Sequence, residues 1–214
     1  MKGETKLFLG IIIGTIVIVG VGIAILSRPV GSTKVDSSLL VRADSNKIAT
    51  SSATVTLVEF SDFQCPACGA YYPMVTQVIK DFKDSMTFVY RNFPLTDLHP
   101  NAKLAAQAAE AAGLQGKYWE MHDILFTKQS DWSASGSVRD IFARYAESLG
   151  MNVDQFKKDI DSDAVKNRVT QDINDGNALG IKGTPTFFLD GIKIDNPATL
   201  ADFEAAVTKA MSQK

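Results

Sequence analysis

The sequence predicts an α/β domain that carries a helical insertion and follows an apolar N-terminal segment. Three observations support this prediction: residues 7–26 contain no charged side chain, a β-branched apolar run at 54–60 has the character of a buried strand, and helical patterns alternate with strand patterns after it. A chain of 214 residues with a net charge of -2 suits one domain with an added segment. No basic block indicates nucleic-acid binding.

The apolar segment predicts a membrane anchor. It reads LFLGIIIGTIVIVGVGIAIL from Leu7 to Leu26, and a helix at about 1.5 Å per residue would span roughly 30 Å, the hydrocarbon thickness of a bilayer. Lys2 and Lys6 precede it, so the positive-inside rule places residues 1–6 in the cytoplasm and the rest of the chain outside. A cleaved signal peptide is the alternative, but its apolar region is usually about 7–15 residues long, and AILSRPVG is a poor cleavage site.

The remaining chain divides into a linker and one domain. Residues 27–38 are polar with Pro and Gly and are interpreted as the linker, which leaves 39–214 for the domain. Three segments near its start have strand character: LLVR at 39–42 as a short edge strand, TVTLVEF at 54–60, and MTFVYR at 86–91. Because the second of these is apolar on both faces, we expect it in the middle of a covered, largely parallel sheet.

A helical block follows these strands. Ala-rich and amphipathic stretches predict an insertion of about 80 residues, near 98–178. Strand patterning resumes at TPTFFLDGIKID, where Asp190-Gly191 between two apolar runs predicts a hairpin turn. NPATLADFEAAVTKAMSQ then predicts a closing amphipathic helix.

Both cysteines of the chain lie in one short motif, FSDFQCPACGAYYP, as Cys65 and Cys68. A zinc site would need further ligands, and His99 and His122 have the wrong spacing to supply them. A structural disulfide across two residues would close a very small loop and remove little unfolded-state entropy. We therefore predict no metal and no cofactor at this pair.

A redox role explains more of the motif. The pair follows a strand and opens a helix, in which Pro73 is expected to cause a kink. The partial positive charge of a helix N-terminus stabilises a thiolate. Cys65 at the helix start is therefore the predicted nucleophile, exposed to solvent, and Cys68 the predicted resolving thiol.

Two further features lie outside the motif. Glu59 sits in a strand that should be buried, where a carboxylate is costly without a partner or a function, so it is either a proton relay for the thiols or a satisfied structural acid. Thr184-Pro185 begins a strand, and a cis peptide bond would explain a proline at that place.

Together these features resemble the thioredoxin superfamily. The stretches VTLVEFSDFQCPACGAYYP, YRNFPLTDLHPNAKLAAQAAEAA and GKYWEMHDILF look like its DsbA-like branch, and more narrowly like membrane-anchored thiol:disulfide oxidoreductases of the BdbD type. The resemblance implies a thioredoxin fold interrupted by a helical domain. It also implies that Cys65 is the nucleophile, Cys68 the resolving cysteine, Glu59 the buried acid, and Thr184 with a cis Pro185 the substrate-binding loop.

The resemblance also sets expectations about function. It implies an extracytoplasmic oxidase at the cell membrane that acts on reduced exported proteins and is reoxidised by a quinone-linked membrane partner of the DsbB or vitamin K epoxide reductase-like kind. Ala67 stands where DsbA has His, so a reductase or isomerase on the same fold remains an alternative. A membrane-tethered binding or chaperone module is a third hypothesis. His99 and His122 are interpreted as structural.

Overall fold

A mixed sheet organises the part of the chain that the computed structural model describes, Lys34–Lys214. Its strands are β1 (Asn46–Ile48), β2 (Val55–Ser61), β3 (Met86–Asn92), β4 (Thr186–Leu189) and β5 (Ile192–Ile194). The strand order is β1-β3-β2-β4-β5. Strands β2 and β3 are parallel, and the other three pairings are antiparallel. The predicted strand at 54–60 is therefore confirmed as the central strand.

The predicted anchor at 7–26 and the predicted linker up to Thr33 lie outside the described residues. From Lys34 onward, no helix is both long and apolar enough to cross a membrane. Val35 donates its backbone N–H to the carbonyl of Gly191 at 2.9 Å. A residue within the range predicted as linker is therefore hydrogen-bonded to the β4–β5 turn.

The described residues also contain nine helices. They are α1 (Ser37–Leu40), α2 (Pro66–Asp81), α3 (Ala102–Gly113), α4 (Tyr118–Thr127), α5 (Gln129–Trp132), α6 (Val138–Ser148), α7 (Val153–Asp159), α8 (Asp163–Ala178) and α9 (Leu200–Met211). Helices α3 to α8 follow one another between β3 and β4, in the range where the sequence predicts a helical insertion. Helix α2 carries the cysteine motif and continues through Pro73.

The prediction of an edge strand at 39–42 is wrong. The side chain of Asp36 accepts a hydrogen bond from the Ser38 N–H at 2.9 Å and starts the short helix α1. Leu40 is buried against the sheet. The edge is instead formed by β1, whose polar sequence NKI gives little strand signal.

The two faces of β2 explain its position. Val55 and Leu57 belong to the large core that contains α2 and the helices of the insertion, whereas Val58 and Phe60 belong to a smaller core on the other face. Alternate residues of a strand point to opposite faces, so both faces of the sheet are covered. Glu59 lies on the face of Leu57, toward α2.

The hairpin and the last helix follow their sequence signals. Asp190 and Gly191 have φ values of 50° and 85°, which matches a two-residue turn with positive φ at both positions and confirms the hairpin prediction. Thr199 and Asp202 form a reciprocal capping box at the start of α9.

A buried ion-pair network attaches the helical insertion to the sheet. Arg91 of β3 is fully buried and donates from Nε to Asp172 of α8 at 2.7 Å and from Nη2 to Asp175. Arg42 donates to the same two carboxylates. Since a buried charge is tolerated only with partners, this network fixes α8 against the end of β3.

Candidate active site

The two cysteines lie where β2 gives way to α2. Cys65 is the N-cap residue of α2, with extended backbone angles (φ -67°, ψ 122°), and Pro66 is the first helical residue. Proline suits this position because its missing N–H would have no partner in the helix. The carbonyl of Cys65 accepts the N–H of Gly69 at 3.0 Å. The first turn of α2 therefore holds both thiols close to the free N–H groups of its N-terminus.

The exposure of the two thiols differs from the prediction. Cys65 is only 7% exposed and Cys68 is 1% exposed, so the prediction of a solvent-exposed Cys65 is wrong. The reason is the loop before β4, because the Cys65 Sγ donates to the carbonyl of Thr184 at 3.5 Å. The bond between Thr184 and Pro185 is cis, as the sequence suggested. The fold thus brings residues 119 positions apart into contact at the thiol.

The surroundings of Cys65 favour its thiolate. Its pKa is lowered from 9.0 to about 5, mainly because the Cys68 thiol hydrogen-bonds to it. Burial opposes this shift, while the side chain of Thr184 and the backbone N–H groups of Cys68 and Ala67 lower the pKa further. A thiolate at neutral pH is the attacking species in thiol–disulfide exchange. The Cys68 thiol is therefore the main source of the lowered pKa, and the N–H groups at the start of α2 contribute to it without a histidine between the cysteines.

Cys68 has the opposite character. Burial raises its pKa far above 9.0, with further increases from the hydrogen bond to Cys65 and from the negative charge of Glu59. The Cys68 sulfur therefore stays protonated unless a base takes its proton. Exchange at this pair needs a proton acceptor next to Cys68.

Glu59 is a buried carboxyl group on the strand that leads to the cysteines. It is 3% exposed on β2 and pairs in register with Tyr90 of β3. Burial raises its pKa from 4.5 to about 7, and Ser61 opposes the shift. A carboxyl group with a pKa near neutrality can both take and return a proton at physiological pH. Its negative charge also raises the pKa of Cys68.

The sequence analysis missed the residues that hold the loop before Cys65. Asp62 accepts from the N–H of Gln64 at 2.7 Å and of Leu95 at 2.9 Å, and it pairs with His99 Nδ1 at 2.7 Å. His99 therefore anchors the loop after β3, in agreement with its structural interpretation. The polar run between Ser61 and Gln64 was the available signal, since buried polar side chains need partners.

A second support comes from the helical insertion. The side-chain amide of Gln129 donates to the carbonyls of Phe63 at 2.7 Å and Cys65 at 3.0 Å. A Cβ on Gly69 would approach the Gln129 Oε1 to 2.7 Å, so glycine leaves room for this contact. Short helix α5 thus fixes the backbone on both sides of Gln64. No local motif around Gln129 indicates this role.

The predicted site residues therefore lie together in one part of the fold. Cys65, Cys68, Glu59, Thr184 and Pro185 come together around the start of α2. His122 lies behind them, buried among aromatic rings. In the described residues, no group of three or more His, Cys, Asp or Glu side chains is arranged to hold a metal ion.

Comparison with known proteins identifies the family. A family model described as thioredoxin (Thioredoxin_4) matches residues 45–209. The chain belongs to the thioredoxin family. This confirms the family that the sequence motifs indicate, and the chain is a thioredoxin-like thiol:disulfide oxidoreductase.

Solved structures share the fold. A thioredoxin-like oxidoreductase from Silicibacter pomeroyi is 26% identical, covers 83% of this chain and 99% of its own, and has a TM-score of 0.70. BdbD from Bacillus subtilis, in its oxidised form, is 24% identical over 78% of this chain and 93% of its own, also with a TM-score of 0.70. The thiol-disulfide exchange protein α-DsbA2 from Wolbachia pipientis is 19% identical over 81% of this chain and 90% of its own, with a TM-score of 0.70. The domain therefore has a thioredoxin-like α/β fold of the kind seen in DsbA-like proteins.

Curated relatives carry a different name. The Na⁺/H⁺ antiporter NhaA 3 of Salinispora tropica is 39% identical over 160 residues, which are 75% of this chain and 24% of that protein. The antiporter NhaA 1 of Mycolicibacterium vanbaalenii is 42% identical over 149 residues, or 68% of this chain and 23% of that protein. The chain thus spans about a quarter of the length of these curated relatives.

Proposed function

We propose that this oxidoreductase is an extracytoplasmic oxidase that introduces disulfides into exported proteins. The observation that carries the proposal is the contrast between the two thiols, with the pKa of Cys65 lowered to about 5 and that of Cys68 raised. A stabilised thiolate favours the reduced protein over its disulfide. A disulfide whose reduced form is stabilised is a strong oxidant.

The exchange proceeds in two steps. A substrate thiolate attacks the Cys65 sulfur, the Cys65–Cys68 bond breaks, and Cys68 leaves as a thiolate that takes a proton from Glu59. A second substrate thiolate then attacks the substrate sulfur of the mixed disulfide, and Cys65 leaves as the stabilised thiolate. Two electrons pass from the substrate dithiol to the cysteine pair, and the substrate gains one disulfide.

The loop beside Cys65 offers the substrate-binding surface. Thr184 and the cis Pro185 precede β4, and the Thr184 carbonyl contacts the Cys65 sulfur. The Thr184 hydroxyl is buried, and the Thr184 side chain stabilises the Cys65 thiolate. In the disulfide form that thiolate is gone, and an extended peptide at this loop would supply a partner, because an unpaired buried hydroxyl is costly.

Regeneration requires an oxidant from outside the chain. The sequence has two cysteines, so it holds no second pair to reoxidise the first. We infer a membrane thiol oxidase linked to quinone, of the DsbB-like or vitamin K epoxide reductase-like kind. The mechanism requires a mixed disulfide between Cys65 and this partner, which Cys68 then resolves.

A position at the membrane is supported by two observations. The uncharged segment at 7–26 has the length of a membrane span. The curated relatives are named as Na⁺/H⁺ antiporters, so related domains occur in proteins named as ion transporters. An outside location would also suit a disulfide donor, since disulfides persist in oxidising compartments.

A reductase or isomerase is the second candidate. Ala67 occupies a position between the cysteines where a positively charged side chain would further stabilise the thiolate. The absence of a positively charged side chain at this position favours a lower reduction potential. A DsbA-like oxidase is expected near about -120 mV, an isomerase near about -180 mV and a thioredoxin-like reductase near about -270 mV.

The proposal is tested with the purified full-length protein. The oxidised protein should convert a reduced, unfolded substrate to its disulfide form in stoichiometric amounts, and a Cys65→Ser variant should be inactive. Equilibration with glutathione buffers gives the reduction potential. Full activity of the Cys65→Ser variant contradicts a thiol mechanism, and a potential near that of thioredoxin supports the reductase instead.

A further inference from the structure

A cavity connects the buried acid of the active site with the surface of the insertion. Its volume is about 100 Å³, and its walls include Glu59 of β2 together with His122 and Asp123 of α4. The volume is sufficient for several water molecules, and polar groups on the walls would bind them. Glu59 itself is 3% exposed. The cavity therefore links this acid to groups nearer the solvent.

His122 has one ring nitrogen paired and the other unpaired. Its Nδ1 lies 2.9 Å from Oδ1 of Asp123, whose side chain is 59% exposed. Its Nε2 is buried without a hydrogen-bond partner among the described residues. Because buried polar atoms are nearly always paired, directly or through water, this nitrogen is expected to bind water in the cavity that it lines.

The surroundings of His122 keep the imidazole neutral at rest. Six aromatic rings lie within 6.4 Å of its ring centroid: Phe63, Tyr72, Tyr90, Tyr118, Trp119 and Phe126. Burial lowers the pKa of His122, and Asp123 opposes that shift. The tyrosines that face it from α2, β3 and α4 have raised pKa values through burial and are uncharged. The remaining titratable neighbours are Glu59 and Asp123.

Other polar groups near Cys68 offer no exit to solvent. Ser61 is 1% exposed and Tyr90 is fully buried. Asp123 is exposed and touches His122 directly. The geometry therefore favours a proton route that runs from Glu59 through cavity water to His122 and then to Asp123.

We propose that His122 and Asp123 complete a proton path that connects Cys68, through Glu59, with bulk solvent. The inference rests on the proposed function, because it assigns the outer part of the relay whose inner part is Glu59. His122 acts through water and Glu59, and so it is a relay residue that does not touch the reacting sulfurs.

The proton balance is the same in both directions of exchange. When a substrate thiolate opens the disulfide, Cys68 takes a proton from the Glu59 carboxyl group, and a proton from solvent returns to Glu59 by way of Asp123, His122 and water. When the dithiol is reoxidised, Cys68 gives its proton to Glu59 and the path carries it outward. Electrons remain on the sulfurs throughout.

The test compares variants of the full-length protein in single-turnover exchange. Asp123→Asn and His122→Ala remove the outer relay, and Thr76→Val alters an exposed cavity residue that carries no titratable group. Rates are measured with a reduced peptide from about pH 5 to about pH 9, which spans the ordinary pKa of His and the raised pKa of Glu59. The reduction potential and the alkylation rate of Cys65 are measured in parallel.

We expect both relay variants to slow the opening and closing of the disulfide by about 10-fold, less than the roughly 100-fold typical of a direct general base. The reduction potential and Cys65 alkylation should not change, and Thr76→Val should match the wild type. Free imidazole should restore the rate of His122→Ala. Wild-type rates in Asp123→Asn, an exposed change that leaves the fold intact, overturn the proposal.

A structural role for His122 gives a different result. In that case His122→Ala changes the reduction potential or the unfolding midpoint, and imidazole does not restore its rate; this outcome also overturns the proposal. Failure of the proposed function is separate, because it appears as a wild-type protein whose potential favours reduction. The variants are then compared in the reducing direction, where the path predicts the same loss of rate.

Discussion

Two buried carboxylates, one on each side of the sheet, have opposite surroundings. Asp172 is 4% exposed and accepts from Arg91 Nε at 2.7 Å, Arg42 Nη2 at 2.8 Å and the backbone N–H of Asn92 at 2.9 Å. Glu59 is 3% exposed, and among the described residues no cation contributes to its pKa, which burial raises to about 7.

The difference distinguishes a carboxylate with a structural role from a carboxyl group that can exchange a proton. A carboxylate that accepts from two arginines and a backbone N–H holds its helix in place. A carboxyl group without a cation changes its protonation near neutral pH and is available to a neighbouring thiol. Burial of the Glu59 carboxyl group without a cation lowers stability whenever the group is ionised.

Asp172→Asn should have the largest effect on stability. Both arginines donate to Oδ1 of Asp172 and the Asn92 N–H donates to Oδ2, so an amide would place its NH2 group against one of these donors. It also leaves the fully buried Arg91 without full neutralisation. Loss of one partner of a buried pair typically costs about 3–5 kcal/mol. Urea unfolding of the oxidised protein at neutral pH measures this loss.

The matched control is Asp161→Asn. Asp161 forms a bidentate pair with Arg139, but both side chains are about half exposed. Such surface pairs contribute about 0–1 kcal/mol. Equal losses in the two variants would mean that the buried network does not hold the insertion in place.

Glu59→Gln should have the opposite effect on stability from Asp172→Asn. The pKa of Glu59 is raised from 4.5 to about 7, so between these pH values the unfolded chain releases a proton that the folded chain retains. Stability therefore falls as the pH rises through this window, by about 3 kcal/mol at roughly 1.4 kcal/mol per pKa unit. The variant should lack this fall and be the more stable protein at pH values above 7.

Unfolding of the oxidised wild type and Glu59→Gln as a function of pH checks this prediction. Oxidised protein is used because it removes the titration of Cys65, whose lowered pKa gives the reduced protein the opposite trend. A Glu59→Gln variant that is less stable than the wild type throughout would show that the carboxylate is a structural group, like Asp172.

Tyr90→Phe should have the smallest effect. The Tyr90 hydroxyl is buried beside Glu59 and has no hydrogen-bond partner in the described residues. Removal of an unpaired buried hydroxyl is expected to leave stability unchanged or raise it by about 1 kcal/mol. Thermal unfolding measures it, and a loss of several degrees would reveal a hydrogen bond to water at this position.

The sequence predicted the parts whose signals are local. The apolar run before the cysteines, the Asp190-Gly191 turn and the helix that the cysteine pair opens are each signalled within a few residues, and the structure confirms these elements. Glu59 was recognisable because an acid is rare in a strand covered on both faces. These signals located the thiols and the acid.

The rest depends on contacts between distant segments. Leu39–Arg42 has strand composition, but the cap by Asp36 and the pairing of Arg42 with α8 override it. The supports from Asp62 and Gln129 join residues more than 30 positions apart. The burial of Cys65 under the Thr184 loop has the same origin, and no pattern within one segment encodes it.

The pKa of Cys65 decides whether the reduced protein carries a stabilised thiolate. Alkylation of the reduced full-length protein is followed from about pH 4 to about pH 9, with mass spectrometry to confirm that the label is on Cys65. The account predicts an inflection near 5, and a higher value in a Cys68→Ala variant because the Cys68 thiol is the main stabilising group. An inflection near the ordinary value of 9.0 would contradict a stabilised thiolate and the oxidase that depends on it.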